Sequence, residues 1–100
     1  MSSLKLEITS KTYEDVEIIS EYIKTDNPRA AHNMAKLFQK TFKMLSKHPN
    51  IGRKRSDFTY KDVRFYILKK KYLVLYRVID DKIVRILRVL TTYQDICSML

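Results

Sequence analysis

One hundred residues, 45% of them hydrophobic and only one of them glycine, suit a single domain (1–100) with a modest core, and no apolar run nears the roughly 20 residues of a membrane span. Twenty Lys+Arg against eleven Asp+Glu give a formal charge of +9, which favours an anionic partner, either nucleic acid or an acidic protein segment. The lone Cys97 excludes an internal disulfide and a cysteine zinc site, and residues 1–6 lack an apolar leader, so the chain is expected in the cytoplasm.

The charge is local. Residues 1–52 hold eight bases and six acids, whereas 53–88 hold twelve and four. At the start, Leu4, Leu6 and Ile8 alternate with Lys5 and Glu7, which predicts a short half-buried strand at one side of a sheet. Ser10 or Thr12 can then cap a helix, with Thr12 and Asp15 spaced as a capping-box variant. Tyr13, Val16, Ile19, Tyr22 and Ile23 recur at helical spacing and predict its buried stripe.

Thr25-Asp26-Asn27-Pro28 ends this helix and begins another, because Asn27 suits an N-cap and Pro28 the first helical position, where its missing N–H costs nothing. The second helix should reach Lys47. Its apolar stripe is Ala31, Met34, Leu37, Phe38, Thr41, Phe42 and Leu45, and Arg29, Lys36, Lys40, Lys43 and Lys47 form a basic stripe on another side. The two make a helical hairpin.

His48-Pro49-Asn50-Ile51-Gly52 breaks the second helix, and a basic loop follows, Arg53-Lys54-Arg55. From Val63 to Leu90 the chain reads as three strands broken at Lys69–Lys71 and Asp80–Lys82, and turns this short demand an antiparallel meander. The middle run, Tyr72–Ile79, is apolar on both faces and belongs inside the sheet. The order β-α-α-β-β-β is thus an α+β fold, a helical hairpin packed on a mostly antiparallel sheet. One hairpin covers one face. The other face is also apolar, and either a partner or the C-terminal Ile96, Met99 and Leu100 would have to cover it.

For chemistry the residues offer little. The single glycine, Gly52, rules out a glycine-rich phosphate loop, and His32 and His48 are too far apart and too poorly accompanied for a metal site. No cofactor is implied. A ribonuclease would need a general acid and base among the cations. The candidates are His48, Asp57, Asp62, Tyr93 and Asp95, and each also has an ordinary loop, cap or rim explanation.

Five segments in order make the pattern specific: Y-E-D-V-E-I-I-S-E-Y-I from Tyr13, D-N-P-R-A-A from Asp26, L-S-K-H-P-N-I-G-R from Leu45, Y-L-V-L-Y-R-V-I-D-D from Tyr72 and I-V-R-I-L-R-V-L from Ile83. Over nearly its whole length the chain resembles the RelE/ParE superfamily of toxin–antitoxin toxins, and D-N-P-R-A-A, H-P-N-I-G-R and Y-R-V-I-D-D…R-V-L are most similar to the ParE branch. The resemblance implies one of two activities: inhibition of DNA gyrase, as in ParE, or cleavage of messenger RNA in the ribosomal A site, as in RelE. It also implies neutralisation by a ParD-like or RelB-like antitoxin, with operator DNA reached only through that antitoxin. A third possibility is an inactive module that retains only antitoxin binding.

Ribosome-dependent members place an arginine in the middle strand just before the L-V-Y run, and in the matching segment here, Tyr72–Tyr76, that arginine is missing. Of the tyrosine, histidine or arginine that such enzymes carry after the last strand, only Tyr93 can correspond. The usual R-V-L-H-G of ParE is here Arg88-Val89-Leu90-Thr91-Thr92. The resemblance and the charge together assign antitoxin binding to Arg77, Arg85 and Arg88, and target binding to Arg53, Lys54, Arg55, Tyr93 and Asp95.

Overall fold

A computed structural model describes residues 4–54 and 63–91. Two helices, α1 (Ser10–Asp26) and α2 (Pro28–Lys47), follow the first strand, β1 (Lys5–Ile8). Four more strands come after them: β2 (Arg53–Lys54), β3 (Arg64–Leu68), β4 (Tyr72–Ile79) and β5 (Ile83–Thr91). They form one five-stranded sheet in the order β1-β5-β4-β3-β2. All neighbours are antiparallel except β1, which runs parallel to β5. The fold is α+β as expected, with β1 at one edge and the doubly apolar β4 in the middle. The two-residue β2 lies where a loop was expected.

The meander turns have the hand that hairpins require. Lys69, Lys70, Asp80 and Asp81 all have φ between 53° and 57°, and the turns close through Lys71 N–H to Leu68 O at 3.1 Å and Lys82 N–H to Ile79 O at 2.9 Å. Two consecutive residues with positive φ match the right-handed twist of the strands, although none of the four is glycine. Lysine and aspartate thus hold a strained conformation that the flanking strands impose.

The main core lies between the hairpin and one face of the sheet. Met34, Phe38, Phe42 and Leu45 of α2 meet Leu68, Tyr72, Val74, Tyr76, Val84, Ile86 and Val89. The Phe38 ring meets the edge of Tyr72 at 5.4 Å. The α2 stripe is the one its spacing predicts, and the Asn27 side chain caps it by accepting from Ala30 N–H at 3.1 Å.

The α1 stripe differs from expectation. Tyr13 and Tyr22 are 62% and 79% exposed, and the buried positions are Thr12 and Asp15, flanked by half-buried Val16, Ile19 and Ile23. Nor do Ser10 or Thr12 cap the helix. Thr9 does, accepting from Thr12 N–H at 3.2 Å. The helix is rotated because its innermost side chains are polar ones with partners on β5.

On the opposite face, Phe65, Leu73, Leu75 and Leu90 form a second cluster with Val63 and Leu87, to which no helix residue belongs. All four core members are no more than 8% exposed.

Candidate binding surface

Two polar clamps fix the surface features of this fold. The first joins α1 to β5. After β1 ends at Ile8, opposite Ile86, the edge of β5 continues without a strand beside it. Side chains of α1 and of its N-cap residue Thr9 take over the pairing. Thr12 Oγ1 donates to Ile86 O at 3.0 Å, Thr9 Oγ1 donates to Leu87 O at 3.1 Å, and Val89 N–H donates to Asp15 Oδ2 at 3.0 Å. Arg88 completes the arrangement, its Nε 2.7 Å from Asp15 Oδ2 and its Nη2 3.0 Å from Oδ1. This hydrogen bonding holds the Arg88 guanidinium above its ordinary pKa, against the opposing effect of burial. Edge backbone groups that would invite another strand are therefore satisfied from within.

The second clamp holds the loop before β2. Tyr76, fully buried on β4, donates its phenol O–H to Pro49 O at 2.7 Å and accepts Gly52 N–H at 2.9 Å. Arg64 Nη1 donates to Gly52 O at 3.1 Å. Residues 49–52 are thereby tied to the centre of the sheet, and the next residue, Arg53, is exposed at the start of β2. Burial pushes the Tyr76 phenol above its ordinary pKa of 10.0, more than the Gly52 bond and the nearby Arg64 charge pull it down. A group whose folded pKa is raised contributes stability that is intact below the unfolded value and lost as pH climbs from there towards the folded value. Urea melts should show stability falling above about pH 10 more steeply in the wild type than in Tyr76→Phe, which itself costs about 1–2 kcal/mol at neutral pH. Parallel pH profiles for the two proteins would show that this phenol does not couple to folding.

The arginines assigned from sequence differ in their commitments. Arg77 and Arg85 are opposite one another on β4 and β5, on the face away from the helices, and Glu7 of β1 is opposite Arg85. Arg85 Nε meets Glu7 Oε1 at 2.8 Å, with side chains 40% and 34% exposed. Such an exposed pair is worth about 0–1 kcal/mol and exchanges readily. Arg88 turns instead to Asp15, which is only 9% exposed at the side chain. Arg77 differs from both: its Nε is buried and makes no hydrogen bond among the described residues. Like charges directly across a strand pair repel, so this face carries an unfilled demand for an anion. Arg53 lies on the same face, opposite Phe65. The backbone of Lys54 pairs with Arg64, and Arg55, Tyr93 and Asp95 lie outside the described residues. So do Asp57 and Asp62.

An apolar groove of about 430 Å³ runs beside α1, lined by Ile18, Ile19, Tyr22, Lys71, Tyr72 and Thr91. Ile18 is 67% exposed, so this side of α1 offers contact area for a second chain. Among the described residues no group of three His, Cys, Asp or Glu could hold a metal ion, and no helix is long and apolar enough to cross a membrane.

Residues 6–96 match the family model described as the ParE toxin of the type II toxin–antitoxin system parDE. The chain belongs to the ParE toxin family. Within the RelE/ParE superfamily its fold agrees with that placement. A chain of the chromosomal ParDE system from P. aeruginosa superposes with a TM-score of 0.74 at 24% identity, over 87% of this chain and 94% of that one. A chain of the toxin–antitoxin complex RelBE2 from Mycobacterium tuberculosis superposes with a TM-score of 0.57 at 21% identity, over 88% and 96%. No curated protein matches the sequence significantly.

In this ParE-family chain, sequence reasoning missed the Asp15–Arg88 clamp and the Tyr76–Gly52 clamp. Asp15 reads as a helix N-terminal acid, and its partners are 73 and 74 residues away. A sequence signal for Gly52 did exist: it is the only glycine in a chain whose tight turns are built without any.

Proposed function

We propose that this toxin inhibits DNA gyrase by binding it, and that a ParD-type antitoxin neutralises it by laying an acidic, partly apolar segment over the sheet. The family match over residues 6–96 carries the reading. The run Tyr72–Tyr76 also favours it over message cleavage. The resemblance would put an arginine in this segment of the middle strand, and here all five side chains are apolar or aromatic and packed away, none more than 4% exposed. The target-facing set is Arg53, Lys54 and Arg55 together with the segment from Thr91 onward, including Tyr93 and Asp95.

The test adds purified toxin to a gyrase supercoiling reaction and, in parallel, to translating ribosomes carrying end-labelled message. Loss of supercoiling with intact message is expected. Cleavage at A-site codons that disappears with Tyr93→Phe would overturn the gyrase reading and establish an enzyme, and inactivity in both assays would mean a module that only binds antitoxin.

For the antitoxin, Arg77, Arg85 and Arg88 form the cationic surface, in decreasing order of freedom. An acid delivered to Arg77 satisfies a buried donor, one delivered to Arg85 must displace Glu7, and one delivered to Arg88 must share it with Asp15. Arg77→Met should therefore weaken cognate antitoxin binding by about 3 kcal/mol, a loss above 100-fold in calorimetric titration. Arg85→Met should cost about 1 kcal/mol. Equal losses at the two positions would refute the role of the unpaired nitrogen.

A further inference from the structure

The outer face of α2 has no part in either clamp, in the sheet-face arginines or in the groove beside α1. That helix contains five cations, Arg29, Lys36, Lys40, Lys43 and Lys47, and no acid at all. At about 100° per residue the five fall within roughly a sixth of the helix circumference, diametrically opposite the buried Met34, Phe38, Phe42 and Leu45. All five are exposed. None makes an ion pair, since the described pairs involve only Arg85 and Arg88 and neither unprinted interaction falls on α2. The acids of the neighbouring helix, Glu14, Glu17 and Glu21, lie together elsewhere, along the outer side of α1 beside Ile18.

From this we infer that the outer face of α2 is a docking surface for the phosphate backbone of duplex DNA. Three features select the ligand. From Arg29 to Lys47 the stripe spans about 27 Å, the length of about eight base pairs, and its charges recur every turn from Lys36 to Lys47 with Arg29 two turns before them, a spread that suits a linear polyanion and not a small anion. Among the described residues the exposed large hydrophobics are Tyr13, Ile18, Tyr22, Ile51 and Ile67, none of them on α2. Without aromatic or aliphatic anchors the stripe lacks the buried centre of a protein interface, and without an apolar face it cannot enter a lipid surface. Lysine and arginine ends alone recognise phosphate, so binding is independent of base sequence.

The surface stands apart from the proposed gyrase and antitoxin contacts and is tested separately. Fluorescence anisotropy of two labelled duplexes of about 20 base pairs with unrelated sequences should give equal affinities, falling with salt along a log–log slope of about −4, as expected for four or five released counterions. Lys36→Glu/Lys40→Glu/Lys43→Glu should lose roughly 100-fold at low salt and flatten the slope by about 3. A matched control, Lys11→Glu/Lys24→Glu/Lys82→Glu, makes the same change in net charge on exposed residues off this face. It should keep its affinity within about threefold and its slope, since no phosphate contact is removed. The glutamine version of the α2 triple should lose affinity in the same direction, so the conclusion does not depend on tolerance of charge reversal. No binding by the wild type, an equal loss in the control, or anisotropy changes that track self-association through the acids of α1 would each overturn the assignment.

Discussion

Asp15→Ala is expected to lower folding stability by about 3 kcal/mol, because it strips three hydrogen bonds from a pair whose acid is almost fully enclosed. The carboxylate accepts from Arg88 Nε, Arg88 Nη2 and Val89 N–H, all within 3.0 Å. Its loss leaves a guanidinium and a backbone donor without acceptors in a region that water reaches poorly. At about 4–8 °C per kcal/mol for a domain of this size, the melting temperature should fall by about 12–24 °C. Asn retains an acceptor oxygen but not the charge, so Asp15→Asn should fall between Ala and the wild type. Arg88→Met should cost slightly less than Asp15→Ala, since Val89 N–H still satisfies one carboxylate oxygen. The double mutant separates the pair from its parts, and single losses that simply add would show that the two residues act independently. Glu7→Ala removes another arginine–carboxylate pair, one whose side chains are 40% and 34% exposed, and should cost less than about 1 kcal/mol.

That contrast bears on what a sequence can disclose. Features decided within a few residues were legible: Asn27 before Pro28, the α2 stripe, the breaks at Lys69–Lys71 and Asp80–Lys82. The central position of β4 was legible too, because a strand apolar on both faces has no other place in a sheet. The face of α1 was not. Hydrophobic spacing selects Tyr13 and Tyr22, yet Thr12 and Asp15 occupy the inward positions because the uncovered end of β5 offers them backbone groups. No local pattern reports a partner more than 70 residues away. The same holds for β2, two residues long and preceded by a loop that a phenol from the middle of the sheet holds in place. For the site, the sequence marks Arg77, Arg85 and Arg88 as equals, and only the carboxylates placed around them distinguish the free one from the committed one.

Gly52→Ala should be the most damaging single methyl in the protein and should act on function through Arg53. Gly52 has no positive φ, so its requirement is one of space. A Cβ there would lie 2.6 Å from Tyr76 Cε1 and 2.8 Å from Cζ, and closer still to the phenol oxygen. The ring is fully buried and cannot retreat, so the loop must. Moving it breaks Gly52 N–H to Tyr76 and Tyr76 O–H to Pro49, and weakens Arg64 to Gly52 O, for an overpacking and hydrogen-bond cost of about 3 kcal/mol. β2 begins at the next residue, so Arg53 loses its register opposite Phe65. If Arg53 contacts gyrase, the half-inhibitory concentration of Gly52→Ala should rise by an order of magnitude or more at temperatures where circular dichroism still reports a folded chain. Tyr76→Leu relieves the overlap and should make the double mutant more stable than the sum of the two single changes predicts. A Gly52→Ala protein with unchanged stability would show that the loop is not pinned by Tyr76, and one destabilised but fully inhibitory would remove Arg53 from the target surface.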